Sequence, residues 1–137
     1  MNETVVRSLA RSEYQKIASQ SKQGDFVSTT TNSTEIVAEI ETVSYTVGSI
    51  EYEILAIKDD GATKSTIKRV FDYVNNGSTL SISSETTLFI NNGLSVTVVA
   101  AVNGTSIEIR VTGLSATNIL WKCNYQHNFL TTEVAVP

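Results

Sequence analysis

Four short turns between residues 59 and 104, each with a glycine after Asn or Asp, constrain the fold of this chain more than any other feature. Such pairs supply the positive φ angle that tight β-hairpins require. They separate runs of largely alternating apolar and polar residues, and they lie at Asp59-Asp60-Gly61, Asn75-Asn76-Gly77, Asn91-Asn92-Gly93 and Asn103-Gly104. Because tight hairpins join neighbouring antiparallel strands, this pattern predicts an all-β antiparallel fold.

The alternating runs predict about eight strands and indicate which side chains face the core. Ile107, Ile109 and Val111 share one face of their strand, and Trp121 lies on the core face of the last strand. The run 94–102 alternates less clearly, which is typical of a strand buried on both faces. The predicted strands are 36–47, 51–58, 63–74, 79–83, 86–90, 94–102, 107–112 and 118–129. We expect a β-sandwich, preferably a jelly roll, with an immunoglobulin-like topology as the alternative.

The N-terminal segment has a helical periodicity instead. From about residue 3 to residue 20, apolar side chains recur at a spacing that predicts one face of a short amphipathic helix. This helix either packs on its own sandwich or docks on another protein subunit. The sequence therefore predicts a helical arm with a polar linker at residues 1–33 and a β-sandwich domain at residues 34–137. The candidate protein-interaction residues are Val6, Leu9, Tyr14 and Ile17.

Composition excludes several classes of protein. A chain of 137 residues suits one domain, and its net charge of −4 without a long basic stripe argues against a nucleic-acid partner. The single cysteine, Cys123, cannot form an internal disulfide and is expected to be a small buried side chain. Because no hydrophobic signal segment or membrane-length apolar run is present, we expect a protein made in the cytoplasm that has no membrane partner.

No set of residues with the spacing of a catalytic or metal site is evident. His127 is the only histidine, and about four residues of extended strand, roughly 13 Å, separate it from Cys123. Neighbouring carboxylates such as Asp59 and Asp60 are best explained as turn residues, because they lack the alternating acidic positions of a calcium loop. Glu39 and Glu41 form a second such pair. We therefore expect no metal, no cofactor and no enzymatic activity.

Two surface features have a functional alternative beside the structural one. Lys64 and Lys68 share a strand face, which either is simply solvated or contacts an acidic partner. Aromatic side chains on strands usually pack in the core, but they could also form a sugar-binding platform. The aromatic candidates are Tyr45, Tyr52, Phe71, Tyr73, Trp121, Tyr125 and Phe129.

The segment 110–123 resembles the closing motif of β-sandwich modules in bacteriophage tail fibres and related head or tail appendages. That motif reads V-T-G, several residues, then I-x-W-x-A. It is matched by Val111-Thr112-Gly113 and by Ile119-x-Trp121, with Cys123 where alanine is usual. Those modules often also have an acidic D-G hairpin between two long strands, as at Asp60-Gly61. The resemblance covers roughly residues 45 to 127.

The resemblance implies a non-enzymatic phage virion structural protein, namely a fibre, capsid decoration or attachment subunit. It would act through contacts with other virion structural proteins, commonly as a homotrimer, after synthesis in the host cytoplasm. The alternative is a receptor- or carbohydrate-binding module that recognises glycans on the host surface.

Overall fold

A computed structural model describes the backbone of residues 15–23 and the backbone and side chains of residues 26–132. Within these ranges the chain forms ten β-strands and no helix, so none is present there that could cross a membrane. The strands are β1 (Gln15–Gln23), β2 (Val27–Thr29), β3 (Thr34–Glu41), β4 (Thr46–Lys58), β5 (Lys64–Asn75), β6 (Leu80–Ile82), β7 (Thr86–Asn92), β8 (Thr97–Asn103), β9 (Ser106–Thr112) and β10 (Ile119–Thr132). The predicted all-β antiparallel fold is confirmed.

The larger sheet, sheet A, has three long central strands in the order β10-β4-β5. Two short strands share the position next to β10. Strand β2 pairs with residues 119–121 of β10, and β1 pairs with residues 124–132. The other side is similar, because β7 and β6 pair with successive parts of β5. Sheet A thus has seven strands in five positions.

The smaller sheet, sheet B, has the order β3-β9-β8, and all its pairs are antiparallel. Side chains from both sheets form one buried core. Ile107, Ile109 and Val111 come from β9, as predicted, and Trp121 from β10 is completely buried. Burial of these large apolar side chains between the two sheets is the main term that stabilises the fold.

The N-terminal helix is corrected over the residues that the structure describes. Gln15–Gln23 is strand β1, which pairs with β10 along its whole length, so residues 15–20 are not helical. Pairing with β10 at the sheet edge satisfies backbone N–H and C=O groups along the segment. A short isolated helix would be only marginally stable in water. Residues 3–14 of the predicted helix lie outside the described residues. The division at residue 33 stays a prediction about folding units, although β1 and β2 share sheet A with later strands.

Three finer details also differ from the sequence analysis. The predicted strand 36–47 is divided, because Tyr45 has a φ of 62° and the chain passes from sheet B to sheet A there. Strand β8 is not buried on both faces, since Val99 is 43% exposed. The last two strands lie in different sheets, whereas those of an immunoglobulin domain pair, so that alternative does not describe this strand order. The jelly-roll assignment stays a prediction.

Candidate functional site

Sheet A is wider than sheet B, and part of its inner face is left incompletely covered. A cleft of about 380 Å³ opens there, between the end of β3 and the inner face of β10. One side is formed by the last residues of β3 and the following turn, and the floor is aromatic. The lining residues are Glu39, Ile40, Glu41, Val43, Tyr73, Tyr125, His127 and Phe129. We call this region the β3–β10 cleft.

A buried tyrosine–histidine pair forms the deepest part of the floor. The hydroxyl of Tyr73 lies 2.7 Å from Nε2 of His127, although the two residues are on β5 and β10, with β4 between them. Gly48 on β4 makes this contact possible, because a Cβ at that position would lie 2.3 Å from the Tyr73 ring. Burial raises the pKa of Tyr73 to about 12, so its hydroxyl is un-ionised at neutral pH.

The accessible part of the floor consists of Tyr125 and Phe129, which are both half-buried. The ring of Phe129 packs on His127, with ring centroids 4.7 Å apart. At the rim, Val43 is 57% exposed. The cleft therefore offers apolar and aromatic surface next to solvent, above side chains that are fixed by packing.

The rim of the cleft carries two exposed carboxylates, those of Glu39 and Glu41 on β3. Glu41 accepts hydrogen bonds from Ser106 Oγ and Thr105 Oγ1, and these bonds lower the pKa of its carboxyl group. Ile40, between them, is buried in the core. The side chains of β3 alternate, so both carboxylates project on the outer face of sheet B while Ile40 projects inward.

Sheet B has two edges, and one of them is covered by side chains. At β8, Arg69 Nη1 donates to the Val98 carbonyl at 2.5 Å, and the Ala100 N–H donates to Glu85 Oε2 at 3.2 Å. Tyr52 also donates its hydroxyl to Glu85. Burial and this contact with the Glu85 carboxylate raise the pKa of Tyr52. Side chains from sheet A and the β6–β7 connection thus close the edge of β8.

The other edge of sheet B is strand β3. It pairs with β9 alone, and no side chain in residues 26–132 is seen to hydrogen-bond to the backbone of its outer edge. A register shift between Ile36 and Ala38 marks a β-bulge in the middle of the strand. This bulge and the exposed glutamates are devices that limit uncontrolled pairing at a sheet edge.

The sequence-predicted interaction residues are not brought to this cleft within the described part of the chain. Val6, Leu9 and Tyr14 lie outside the described residues. Ile17 lies on β1, directly opposite Leu130 of β10, and therefore not on a helical stripe. For Ile17 the helical-face interpretation is wrong, because its segment adopts a strand with a period of two residues.

The other candidate residues have structural partners. Cys123 is buried, and burial and then the charge of Glu53 raise the pKa of its thiol to about 12, so it is a protonated thiol at neutral pH. Asp60 accepts hydrogen bonds from the Ala62 and Thr63 amides and from Thr63 Oγ1, which lower its pKa to about 2. The predicted turn role of Asp60 is confirmed. In residues 15–23 and 26–132, no grouping of three potential metal ligands occurs.

The residues of the closing motif contact one segment of the chain, the end of β2. Trp121 Nε1 donates to Thr29 Oγ1 at 2.8 Å. A Cβ on Gly113 would lie 2.5 Å from the Thr31 carbonyl oxygen, so only glycine permits this close approach. The motif therefore holds the end of β2 and the residues just after it against β10 and the chain that follows β9.

The sequence analysis missed the roles of three residues, one beside the cleft and two at the β8 edge. Gly48 interrupts a strand pattern, and an isolated glycine in a strand often marks a close approach, so a signal was present. Arg69 and Glu85 gave no such signal, because their partners are backbone groups of β8, about 15 to 30 residues later in the chain. Only the three-dimensional arrangement brings them to that edge.

No protein-family model matches this chain, and no curated protein sequence matches it. Two solved structures are similar. One is the tailspike protein of Acinetobacter baumannii phage AM24, with 11% identity, a TM-score of 0.41, and coverage of 84% of this chain and 26% of that one. The other is a tailspike protein of A. baumannii bacteriophage Fri1, a capsular polysaccharide depolymerase, with 11% identity, a TM-score of 0.44, and coverage of 91% and 21%. This chain spans only about a quarter and a fifth of their lengths, and their activities do not transfer to it.

Proposed function

We propose that this chain is a non-enzymatic structural protein of a bacteriophage virion, a fibre, decoration or attachment subunit that acts through protein–protein contacts. The closing motif of the sequence supports the virion class, because it resembles the motif of phage appendage modules. Its partners would be other virion structural proteins and further copies of itself, in a homotrimer. It would be synthesised in the host cytoplasm before assembly.

The observation that carries the proposal is the outer face of sheet A. Six aliphatic side chains on this face are 38 to 49% exposed, and they form two groups at opposite ends of the sheet. Monomeric proteins rarely expose extended apolar patches, so a surface of this kind indicates contact with another protein. The two groups are Leu55, Ile57 and Leu120, and Val47, Val74 and Leu130.

The charges between these two groups favour a specific contact. Glu53 and Lys68 lie opposite each other on β4 and β5, and Glu51 is two residues before Glu53. Such a mixed band would fix the orientation of a partner, whereas the apolar ends would supply most of the affinity. The state of Cys123 also supports a structural role, because a protonated, buried thiol is a poor nucleophile.

The test is whether the chain is part of purified particles. Mass spectrometry of particles from a lysate of the virus that encodes it should detect the chain at a fixed ratio to the major structural proteins. Combining Val47→Ser with Leu130→Ser should abolish incorporation and leave the fold intact. Val99→Ser is the matched control, because Val99 is equally exposed but lies on sheet B. Absence of the wild-type chain from particles would contradict the proposal.

One observation favours the alternative, a receptor- or carbohydrate-binding module for host glycans. The half-buried rings of Tyr125 and Phe129 lie in a concave site, and aromatic rings next to carboxylates are suitable for binding sugars. NMR titration of the full chain with neutral oligosaccharides tests this alternative. Specific shifts at Tyr125 and Phe129 would support it, and unchanged spectra at millimolar sugar would contradict it.

A further inference from the structure

We propose that the β3–β10 cleft receives an extended, basic segment of another virion protein, which adds as a strand to the edge of β3 that no other strand of the described residues occupies. This inference rests on the proposed function and names the chemistry of one partner. It concerns a surface separate from the outer face of sheet A. Three properties of the described residues support it, namely backbone pairing, charge and side-chain alternation.

The first property is the difference between the two edges of sheet B. The β8 edge is capped, because Arg69 donates a hydrogen bond to the Val98 carbonyl and Glu85 accepts one from the Ala100 amide. The β3 edge lacks such cover within residues 26–132. Peptides commonly bind proteins by adding a strand to an uncovered sheet edge, where backbone hydrogen bonds supply affinity and side-chain pockets supply specificity.

The second property is charge. Glu39 and Glu41 project beside the free edge, and Glu39 also lies directly opposite Glu108 on β9. The Glu108 carboxylate is paired with Arg110 at 2.6 Å, whereas the carboxylate of Glu39 is exposed to solvent. Lysine or arginine on an added strand would pair with Glu39. A second copy of β3 would instead bring glutamates against glutamates, which argues against self-association at this edge.

The third property is alternation. On a strand next to β3, every second side chain would lie beside Glu39 and Glu41 on the outer face of sheet B. The intervening side chains would point inward beside Ile40, over Tyr125 and Phe129. A cleft of about 380 Å³ has room for a few small apolar side chains. The partner segment therefore has alternating basic and β-branched or other small apolar residues.

A short acetylated and amidated peptide of alternating lysine and valine is the probe. Binding to the full chain is measured by ¹⁵N NMR titration at low ionic strength and again at high salt. We expect shifts at residues 38–43 and at Tyr125 and Phe129, with affinity that falls as salt rises. The same peptide with N-methylated amides, and a peptide of alternating glutamate and valine, should not bind.

Glu39→Lys provides the decisive variant, and Glu35→Lys is its charge-reversal control on the same strand, before the bulge and outside the cleft. Because charge reversal turns a cross-strand attraction into a repulsion, Glu39→Lys should weaken binding of the probe about tenfold. The control should bind as the wild type does. Incorporation of Glu39→Lys into particles should fall, while its melting temperature should be unchanged or higher.

Several results would overturn the inference. These are no binding of the lysine–valine peptide at millimolar concentration, equal binding of the N-methylated peptide, and equal loss in Glu35→Lys. A neutral oligosaccharide that shifts the cleft residues when the peptide does not would assign the cleft to glycans. If wild-type chain and Glu39→Lys enter particles equally, the inference fails and the proposed function stands. If the wild type is absent from particles, the proposed function fails first.

Discussion

The two edge strands of sheet B, β8 and β3, differ in how their unpaired backbone groups are protected from other strands. A strand at a sheet edge exposes unpaired N–H and C=O groups, which invite other strands. At β8 the protein satisfies such groups internally, with Arg69 on the Val98 carbonyl and Glu85 on the Ala100 amide. At β3 no strand or side chain of residues 26–132 covers the edge, and glutamates lie beside it. One edge has two of its backbone groups satisfied by side chains of the same chain, and the other carries charges that disfavour partners of the same charge.

The difference shows how a small two-sheet β-domain can combine stability with selective contact. Closing an edge with Arg69 and Glu85 links sheet A to sheet B, so the cover also stabilises the packing of the sheets. At the β3 edge the exposed glutamates make no link of this kind between the sheets among the described residues, and Glu108, opposite Glu39, is paired with Arg110 on its own strand. The edge with the exposed charges is the one next to the aromatic cleft.

Replacing Trp121 should cause the largest loss of stability, because its side chain fills the core on which both sheets pack. Its side chain is completely buried and its Nε1 holds Thr29. Trp121→Ala should lower the free energy of unfolding by about 3 to 5 kcal/mol through cavity formation. Chemical denaturation followed by circular dichroism measures this loss. Leu120→Ala is the control, since Leu120 is 44% exposed, and a similar loss there would show that the two faces of β10 are misassigned.

Removing the side chain that caps the β8 edge should cause the next largest loss of stability. Arg69→Leu leaves the Val98 carbonyl without its partner and removes a hydrogen bond from a charged donor, which costs about 1.5 to 3 kcal/mol. The variant should also aggregate more readily, because it then has two open edges. Urea denaturation and light scattering measure both effects. Lys68→Leu, the adjacent residue on the outer face of sheet A, should change neither, and equal losses would contradict the capping role of Arg69.

Alkaline pH should weaken the core between the two edges. Folding raises the pKa of the Cys123 thiol from 9.0 to about 12 and that of Tyr73 from 10.0 to about 12. The unfolded chain therefore loses these protons at a lower pH than the folded chain, so stability is complete below pH 9 and falls as pH rises above it. The thiol alone contributes a loss of about 1.4 kcal/mol per pH unit in that range.

Urea denaturation between pH 8 and pH 11 checks this dependence. In Cys123→Ala the decline should begin about one pH unit later, where the tyrosines start to ionise in the unfolded chain. An identical decline in the variant would show that the thiol is not the group responsible. Stability that does not change up to pH 11 would contradict the burial of both groups.

The strands were predictable from the sequence because their signals are local. Alternation of Ile107, Ile109 and Val111 and the Asn-Gly and Asp-Gly turns placed most of them within a few residues of their observed bounds. The segment 15–20 was not predictable, because a helical spacing of apolar residues was overridden by pairing of β1 with β10, more than 100 residues later in the chain. Local periodicity carries no information about such a distant partner.

The site was less predictable than the fold. The sequence predicts the aromatic floor in part, because Tyr73, Tyr125 and Phe129 are among the candidates for a sugar-binding platform. Their grouping depends on the register of three strands and on the absent side chain of Gly48, and neither can be inferred from one strand alone. The difference between the edges of sheet B likewise depends on strand order, which the turns do not determine.

The smallest expected effect is a weak self-association after loss of one glutamate. It tests whether the charge of β3, and not its bulge, prevents copies of the protein from pairing at this edge. In Glu39→Thr, a β-branched residue replaces one of the two carboxylates at the cleft rim, and Glu41 stays in place because Thr105 and Ser106 use it. Less repulsion between copies should permit weak edge-to-edge pairing, with a dissociation constant on the order of 1 mM. Sedimentation velocity over a concentration series should detect this association beyond that of the wild type. Glu35→Thr, which lies before the bulge, should not associate further. Equal association of this control would show that the effect does not depend on the cleft rim. If neither variant associates, the bulge and not the charge protects this edge.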